Sequence, residues 1–254
     1  MTMSRIAERK LRRIFEAARE RWASATRWEG PNFPSLFDDG DGTGIAEQAR
    51  AYFERNGWIS PLYPYASTEM LILRDFAEHR ITGVHRVLDL GSGGSHWIRL
   101  YRDLGATDIH GVEVSWAPAD GGDGPGEDVT LHDGRIHAAL NRYSGEPFDL
   151  VNAIGALFHL VSDLEVISAL QRIHRHMSPG GTLVIGGNFD LWLMPIDPPV
   201  RLARFLNSRQ RSPWWWTRQL RQIGFDDIRI HRNFAYPLVK DRTPENGILV
   251  CSRT

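Results

Sequence analysis

The chain has 254 residues, with 30 Lys and Arg against 31 Asp and Glu, for a net charge of −1. A protein that tracks a phosphate backbone usually carries a strong basic excess, so this balance argues against nucleic acid as the expected partner. Hydrophobic residues make up 42% and charged residues 24%, enough for an ordinary packed core, and the length suits one α/β domain with additions. The single cysteine, Cys251, excludes a disulfide framework and a cysteine metal site. No long apolar run reaches the length of a membrane-spanning helix, so no membrane association is expected. The basic N-terminal stretch has no apolar segment behind it, so no secretory signal is expected and a cytoplasmic location is.

In chain order, residues 4–28 read as a helix with Ile6, Leu11, Ile14, Phe15, Ala18 and Trp22 at helical spacing. Its other face has a local excess of five positive charges, read as a solvated surface. Residues 29–44 are turn-rich. The Asp39-Gly-Asp41-Gly-Thr43-Gly44 run begins like a calcium loop, but Arg50 occupies the position that needs a bidentate Glu. Helices are expected over 45–56 and 67–80. Seven strand-like runs follow: VHRVLDL, TDIHGVEV, DVTLHD, FDLVNAI, GTLVIGG, DDIRIHR and GILVCSR. Helical or loop segments separate most of the early ones. That alternation predicts a doubly wound, mostly parallel α/β sheet with helices on both faces. The last two runs lack an intervening helix and could pair antiparallel at the end of the sheet. Residues 115–128 read as a loop.

VLDLGSGGS, residues 87–95, enters a glycine-rich turn after the first strand, where a doubly wound sheet binds its ligand. Gly91 and Gly93 meet the first two glycines of a dinucleotide fingerprint, but His96 stands at the third. No Gly-Lys-Ser/Thr follows, so a phosphate loop is not matched. Asp89, Gly91 and Gly93 instead fit an acid-x-Gly-x-Gly pattern in which Ser95 replaces a third glycine. This resembles motif I of the class I S-adenosylmethionine-dependent methyltransferases, whose fold is a Rossmann-like seven-stranded sheet. The order of the segments from about residue 84 to 187 agrees with that family.

The resemblance implies a cofactor site for S-adenosylmethionine. Asp89, Gly91, Ser92 and Gly93 would receive its aminoacyl end. Glu113, at the end of the second strand, would accept the ribose hydroxyls, with Val114 beside it. Asp133 and Gly134 would meet the adenine, and Ala153 and Ile154 would line the end of the fourth strand. Trp116 could pack on the adenine or fill the gap left by a shortened helix. Ser178-Pro179-Gly180-Gly181 reads as the turn before the fifth strand, because Pro ends a helix and Gly turns the chain.

His159, in GALFHLVSD, is the candidate catalytic base, since histidine exchanges protons near neutrality; the alternative is a packed, hydrogen-bonded residue. Asp163 and Glu165 read as helix N-terminal acids rather than metal ligands, and no metal site is expected. Tyr63, Tyr65, Trp214 and Trp215 are candidate substrate-binding residues, with one or two of Trp214, Trp215 and Trp216 packing into the core. Arg201, Arg204, Arg209 and Arg211 read as a solvated face. Asn152-Ala153-Ile154-Gly155 replaces the Pro-Pro motif of adenine and glutamine amino-methyltransferases.

The expected organisation is a helical N-terminal cap or lid over 1–66 and a core over 67–254, with 188–224 as a substrate-site insertion. The expected activity is methyl transfer to an oxygen or nitrogen of a small-molecule acceptor. The alternatives are protein or RNA methylation through the basic N-terminal helix, a non-catalytic S-adenosylmethionine-binding protein and, more distantly, an NAD-linked oxidoreductase.

Overall fold

The computed structural model describes residues 10, 13, 14, 17, 63–92, 97–114, 128–186, 209, 211–233 and 246–254. Expectations for the 29–44 turn, the 45–56 helix, the 115–127 loop, Gly93, Ser95, His96, Trp116, Arg201 and Arg204 lie outside these residues. So do most of the expected N-terminal helix and residues 188–208. Lys10, Arg13, Ile14 and Ala17 are helical.

The described elements are α1 (Tyr63–His79), β1 (Arg86–Leu90), α2 (Ile98–Leu104), β2 (Asp108–Glu113), β3 (Val129–Asp133), α3 (Ile136–Arg142), β4 (Phe148–Ile154), a 3-10 turn (Leu157–His159), α4 (Asp163–His176), β5 (Met177–Gly186), α5 (Pro213–Ile223), β6 (Phe225–Asn233) and β7 (Asn246–Arg253). The strands form one 7-stranded sheet in the order β3-β2-β1-β4-β5-β7-β6. β1 to β5 pair in parallel, and β7 runs antiparallel to β5. All seven expected strands are present, in a doubly wound, mostly parallel sheet.

Periodicity explains why these runs become strands. Val87, Leu88, Asp89 and Leu90 are consecutively buried, as are residues 150–153, which is the signature of strands covered on both faces. Helix ends follow local chemistry. Ser212 caps α5 by accepting from the Trp215 amide at 3.1 Å, Pro213 opens the helix, and Gly224 closes it in the left-handed region at φ 111°. α4 begins with Glu165 accepting from the Ser162 amide at 3.4 Å. α3, α4 and α5 share a core cluster with β4 and β5 that includes Leu140, Val166, Leu170, Trp216, Leu183 and Ile185.

The Ser178–Gly181 segment differs from expectation. It lies within β5, which starts at Met177 opposite Phe148 and resumes pairing with Thr182 opposite Leu150 after a register shift. The glycines serve this irregularity. A side chain at Gly181 would come within 2.8 Å of the Ser178 carbonyl and 3.0 Å of the Phe148 carbonyl.

The chain divides into two compact units, residues 1–82 with 231–247, and residues 83–230 with 248–254. In the first, the buried Asp75 accepts from His231 Nε2 at 2.7 Å and lies 3.4 Å from His79 Nδ1. The second holds the site described next. Among the described residues, no helix is long and apolar enough to cross a membrane.

Candidate functional site

The sheet order reverses between β1 and β4, because the chain leaves β1 toward β2 and leaves β4 toward β5. Ligands of doubly wound sheets bind beyond the strand ends at such a switch point. The pair that spans it is Asp89 and Asn152, which are register partners. Asn152 Nδ2 donates to Asp89 Oδ1 at 3.4 Å and to the Tyr101 hydroxyl of α2 at 2.6 Å. The Tyr101 hydroxyl in turn hydrogen-bonds the Asp89 carboxyl group. All three side chains are buried. Burial pushes the Asp89 carboxyl up to about 7; the Tyr101 hydrogen bond opposes that rise and the negative charge of Glu113 adds to it. Burial, and then the Asp89 charge, push the Tyr101 hydroxyl upward as well.

The start of the glycine-rich run sits over β2. The amides of Gly91 and Ser92 both donate to the Val112 carbonyl, at 2.8 and 3.2 Å. Gly91 is in the left-handed region at φ 75°, and a Cβ there would lie 2.9 Å from the Ala156 Cβ. Gly91 thus lets the segments leaving β1 and β4 meet. Under the turn, a Cβ at Gly111 would lie 2.9 Å from Ser92 Oγ and 3.0 Å from Leu131 Cδ2. Among the described residues, the buried Asp89 Oδ2 and Ser92 Oγ have no hydrogen-bond partner. Buried polar atoms are rarely left so, and an orphan at a switch point marks a place for a ligand group. An acidic oxygen and a hydroxyl beside bare backbone fit the ammonium and carboxylate of an aminoacyl group.

The remaining acids follow the strand ends. Glu113 and Asp133 are register partners at the ends of β2 and β3. Glu113 Oε1 accepts from the Val114 amide at 2.8 Å, which orients the carboxylate, and the Gly134 amide donates to the Glu113 carbonyl at 2.9 Å. Val114 and Asp133 are exposed. At the end of β4, Ala153 is buried, Ile154 is half-buried, and the Gly155 amide donates to the Gly186 carbonyl at 3.0 Å. The structure therefore gathers Asp89, Gly91, Ser92, Glu113, Val114, Asp133, Gly134, Ala153 and Ile154 along the carboxyl edge of four adjacent strands.

His159 ends the 3-10 turn after β4, is exposed, and packs its ring 4.0 Å from that of Phe158. The tryptophans diverge: Trp215 and Trp216 are buried, whereas Trp214 is exposed beneath the Arg218 guanidinium, 5.6 Å away. Adjacent helical residues point in different directions, so these cannot share one face. Tyr63 and Tyr65 lie in the first turn of α1.

Two arginines correct the sequence reading. Arg211 is not on a solvated face but fully buried, and its guanidinium reaches Asp163 Oδ1 at 2.8 Å and the carbonyls of Leu160 and Val161 at 2.9 and 3.0 Å. It also lies 4.9 Å from the Trp215 ring. Arg209 is partly buried; its amide donates to the Phe158 carbonyl at 2.9 Å and its side chain pairs with Asp163 at 3.0 Å. Asp163 therefore anchors two guanidinium groups besides opening a helix. Together these contacts pin the chain that carries His159.

Sequence reasoning missed Tyr101, Gly111 and Arg211, and used Asn152 only as evidence against another motif. Tyr101 sits at helical spacing among apolar residues and reads as core. Asn152, one polar residue inside a buried strand, was the available signal, because a buried amide needs partners.

The family described as "Methyltransferase domain" matches residues 41–234. No curated protein matches. Solved structures share the fold at low identity. The 1,6-didemethyltoxoflavin-N1-methyltransferase of Burkholderia thailandensis, solved with 1,6-didemethyltoxoflavin and S-adenosylhomocysteine bound, is 17% identical with a TM-score of 0.55 over 84% of this chain and 88% of that one. The N-methyltransferase NodS of Bradyrhizobium japonicum WM9 is 14% identical, with a TM-score of 0.53 over 73% and 93%. An S-adenosylmethionine-dependent methyltransferase of Mesorhizobium loti is 20% identical, with a TM-score of 0.52 over 73% and 98%. With the family matched over residues 41–234, most of this chain, and a seven-stranded sheet with Gly91 at its switch point, the chain belongs to the methyltransferase domain family and is a class I S-adenosylmethionine-dependent methyltransferase.

Proposed function

We propose that the enzyme transfers a methyl group to an oxygen or nitrogen of a small molecule. What carries the reading is the grouping of a buried acid with one unsatisfied oxygen, the bend at Gly91 and acids on the next two strand ends. Asp89 and Ser92 would take the aminoacyl end, Glu113 the ribose hydroxyls, and Val114, Asp133 and Gly134 the adenine, with Ala153 and Ile154 forming the wall beside them. When bound, the cofactor would supply an electrophilic methyl on a sulfonium, to be taken in line by an acceptor lone pair as the C–S bond breaks and the thioether of S-adenosylhomocysteine leaves. The protein's part is to hold the acceptor on that line and exclude water, which is worth up to about 7–11 kcal/mol. His159 stands on the turn leaving β4, where it can take a proton from an acceptor that must lose one. Trp214, exposed on α5, is the proposed acceptor contact in this unit. The small acceptor of the Burkholderia relative and the near-zero net charge of this chain support a small molecule over a nucleic acid.

Calorimetric titration with S-adenosylmethionine, S-adenosylhomocysteine and NAD tests the site. The first two bind, and Asp89→Ala or Glu113→Ala weakens each by about tenfold or more, equivalent to ~1.4 kcal/mol. Binding of NAD in place of either would refute the assignment. Once an acceptor is found, His159→Asn turnover close to wild type would remove the base role.

A further inference from the structure

Among the described residues, the Asp89 carboxyl is held from one side only. Its Oδ1 accepts from Asn152 Nδ2, while Oδ2 is buried and has no partner among the described residues. The orientation of the Asn152 amide is set by its other end, since its Oδ1 accepts from the Ile154 amide at 3.3 Å and so the nitrogen faces Asp89 and Tyr101. Among the described residues, the groups that face Asp89 are the Tyr101 hydroxyl from α2, the Asn152 amide from β4 and the Glu113 carboxylate from β2. Among the described residues Asp89 forms no ion pair. A buried carboxylate with a second carboxylate nearby and no cation is costly, and the group escapes that cost by keeping its proton.

We propose that Asp89, fixed in place by the positioning residues Tyr101 and Asn152, stays a neutral acid with its proton on Oδ2 until the cofactor's ammonium arrives, and that cofactor capture expels that proton to solvent. This rests on the reading of the crevice as the S-adenosylmethionine site. The balance is simple. The O–H bond of Asp89 breaks, the proton passes to buffer, and the carboxylate left behind accepts an N–H bond from the ammonium, so the bound pair is neutral. Burial and Glu113 hold the proton on; an ammonium beside Oδ2 reverses the sign, because an opposite charge within a few ångströms favours the ionised form. The Tyr101 hydroxyl donates to the carboxyl group and stabilises its charged form, so it sets the pH at which the proton is lost. Cofactor affinity therefore falls as the medium becomes more acidic through the neutral range.

The test is calorimetric binding of S-adenosylhomocysteine in buffers of contrasting ionisation enthalpy, which counts the protons released per cofactor. With the free carboxyl at about 7, release is about 0.9 proton at pH 6 and about 0.1 at pH 8. Asp89→Asn abolishes that difference. Tyr101→Phe moves the half-release point to higher pH by about half a unit or more, a displacement that loss of packing alone would not produce. An infrared difference spectrum of the wild-type protein gives an independent reading, in which binding bleaches a protonated carboxylic-acid band that Asp89→Asn lacks. Intact binding with release below about 0.2 proton at pH 6, or no bleached band, overturns the proposal alone. Failure to bind S-adenosylhomocysteine at all overturns the cofactor site beneath it.

Discussion

Replacing Arg211 with Met removes a buried cation of nearly the same length. The wild-type guanidinium donates to Asp163 Oδ1 at 2.8 Å, to the Leu160 and Val161 carbonyls at 2.9 and 3.0 Å, and to the Arg209 carbonyl at 3.4 Å. Hydrogen bonds to charged groups contribute about 1.5–3 kcal/mol each, with the longest contributing least. Asp163 is 36% exposed and keeps Arg209 as a partner, so its share is discounted for solvent screening. Two carbonyl bonds and a weakened ion pair give a loss of about 3 kcal/mol, partly offset by the apolar fit of Met against Trp215. Arg211→Lys should lose about half as much, because an ammonium cannot present a rigid fork to acceptors on several sides. Urea unfolding measures both variants. At constant m of about 2 kcal/mol/M, the midpoint falls by about 1.5 M for Met. Amide exchange in 157–161 should rise with it, since this is the turn the guanidinium holds. A Met variant within about 0.5 kcal/mol of wild type would refute the assigned clamp.

Gly111→Ala places a Cβ 2.9 Å from Ser92 Oγ, and a short side chain on a pinned turn cannot retreat far. The expected cost is about 1–3 kcal/mol with about tenfold weaker S-adenosylhomocysteine binding, read by melting and calorimetry. Adding Ser92→Gly should restore stability without restoring full affinity; unchanged binding in the single variant would show that the turn does not rest on β2 as described. A second prediction concerns pH. His110 Nδ1 and His132 Nε2 are 2.8 Å apart, and His110 Nε2 is 2.9 Å from Asp108 Oδ1. Burial lowers the pKa of both imidazoles, and at His132 the neighbouring His110 adds to it. The unfolded chain then binds more protons, so their contribution to stability is complete above the unfolded histidine value and is lost as pH falls through it. Melts taken from about pH 7.5 to about pH 5.5 in an Asp89→Asn background, which removes the opposite linkage of the raised Asp89 carboxyl, should fall, and adding His132→Gln should flatten the decline. Identical slopes with and without His132→Gln in that background would refute this linkage.

The fold and the bend at the start of the candidate site were legible because they rest on local rules. Consecutive apolar residues define strands covered on both faces, and a run of glycines after the first strand marks a backbone that must bend and be approached closely. Gly91, at φ 75°, obeys that rule within its own few residues. The roles of Asn152, Tyr101 and Arg211 do not, since their partners lie 48 to 63 positions away. Trp214, Trp215 and Trp216 carry the same side chain in succession, yet only their direction on α5 decides which is exposed. The chain's own chemistry thus determined that a doubly wound sheet would hold a glycine turn between acids. Only tertiary packing decided which oxygen of Asp89 is left without a partner among the described residues and which arginine is buried, because burying a polar group depends on the partners that distant segments bring to it.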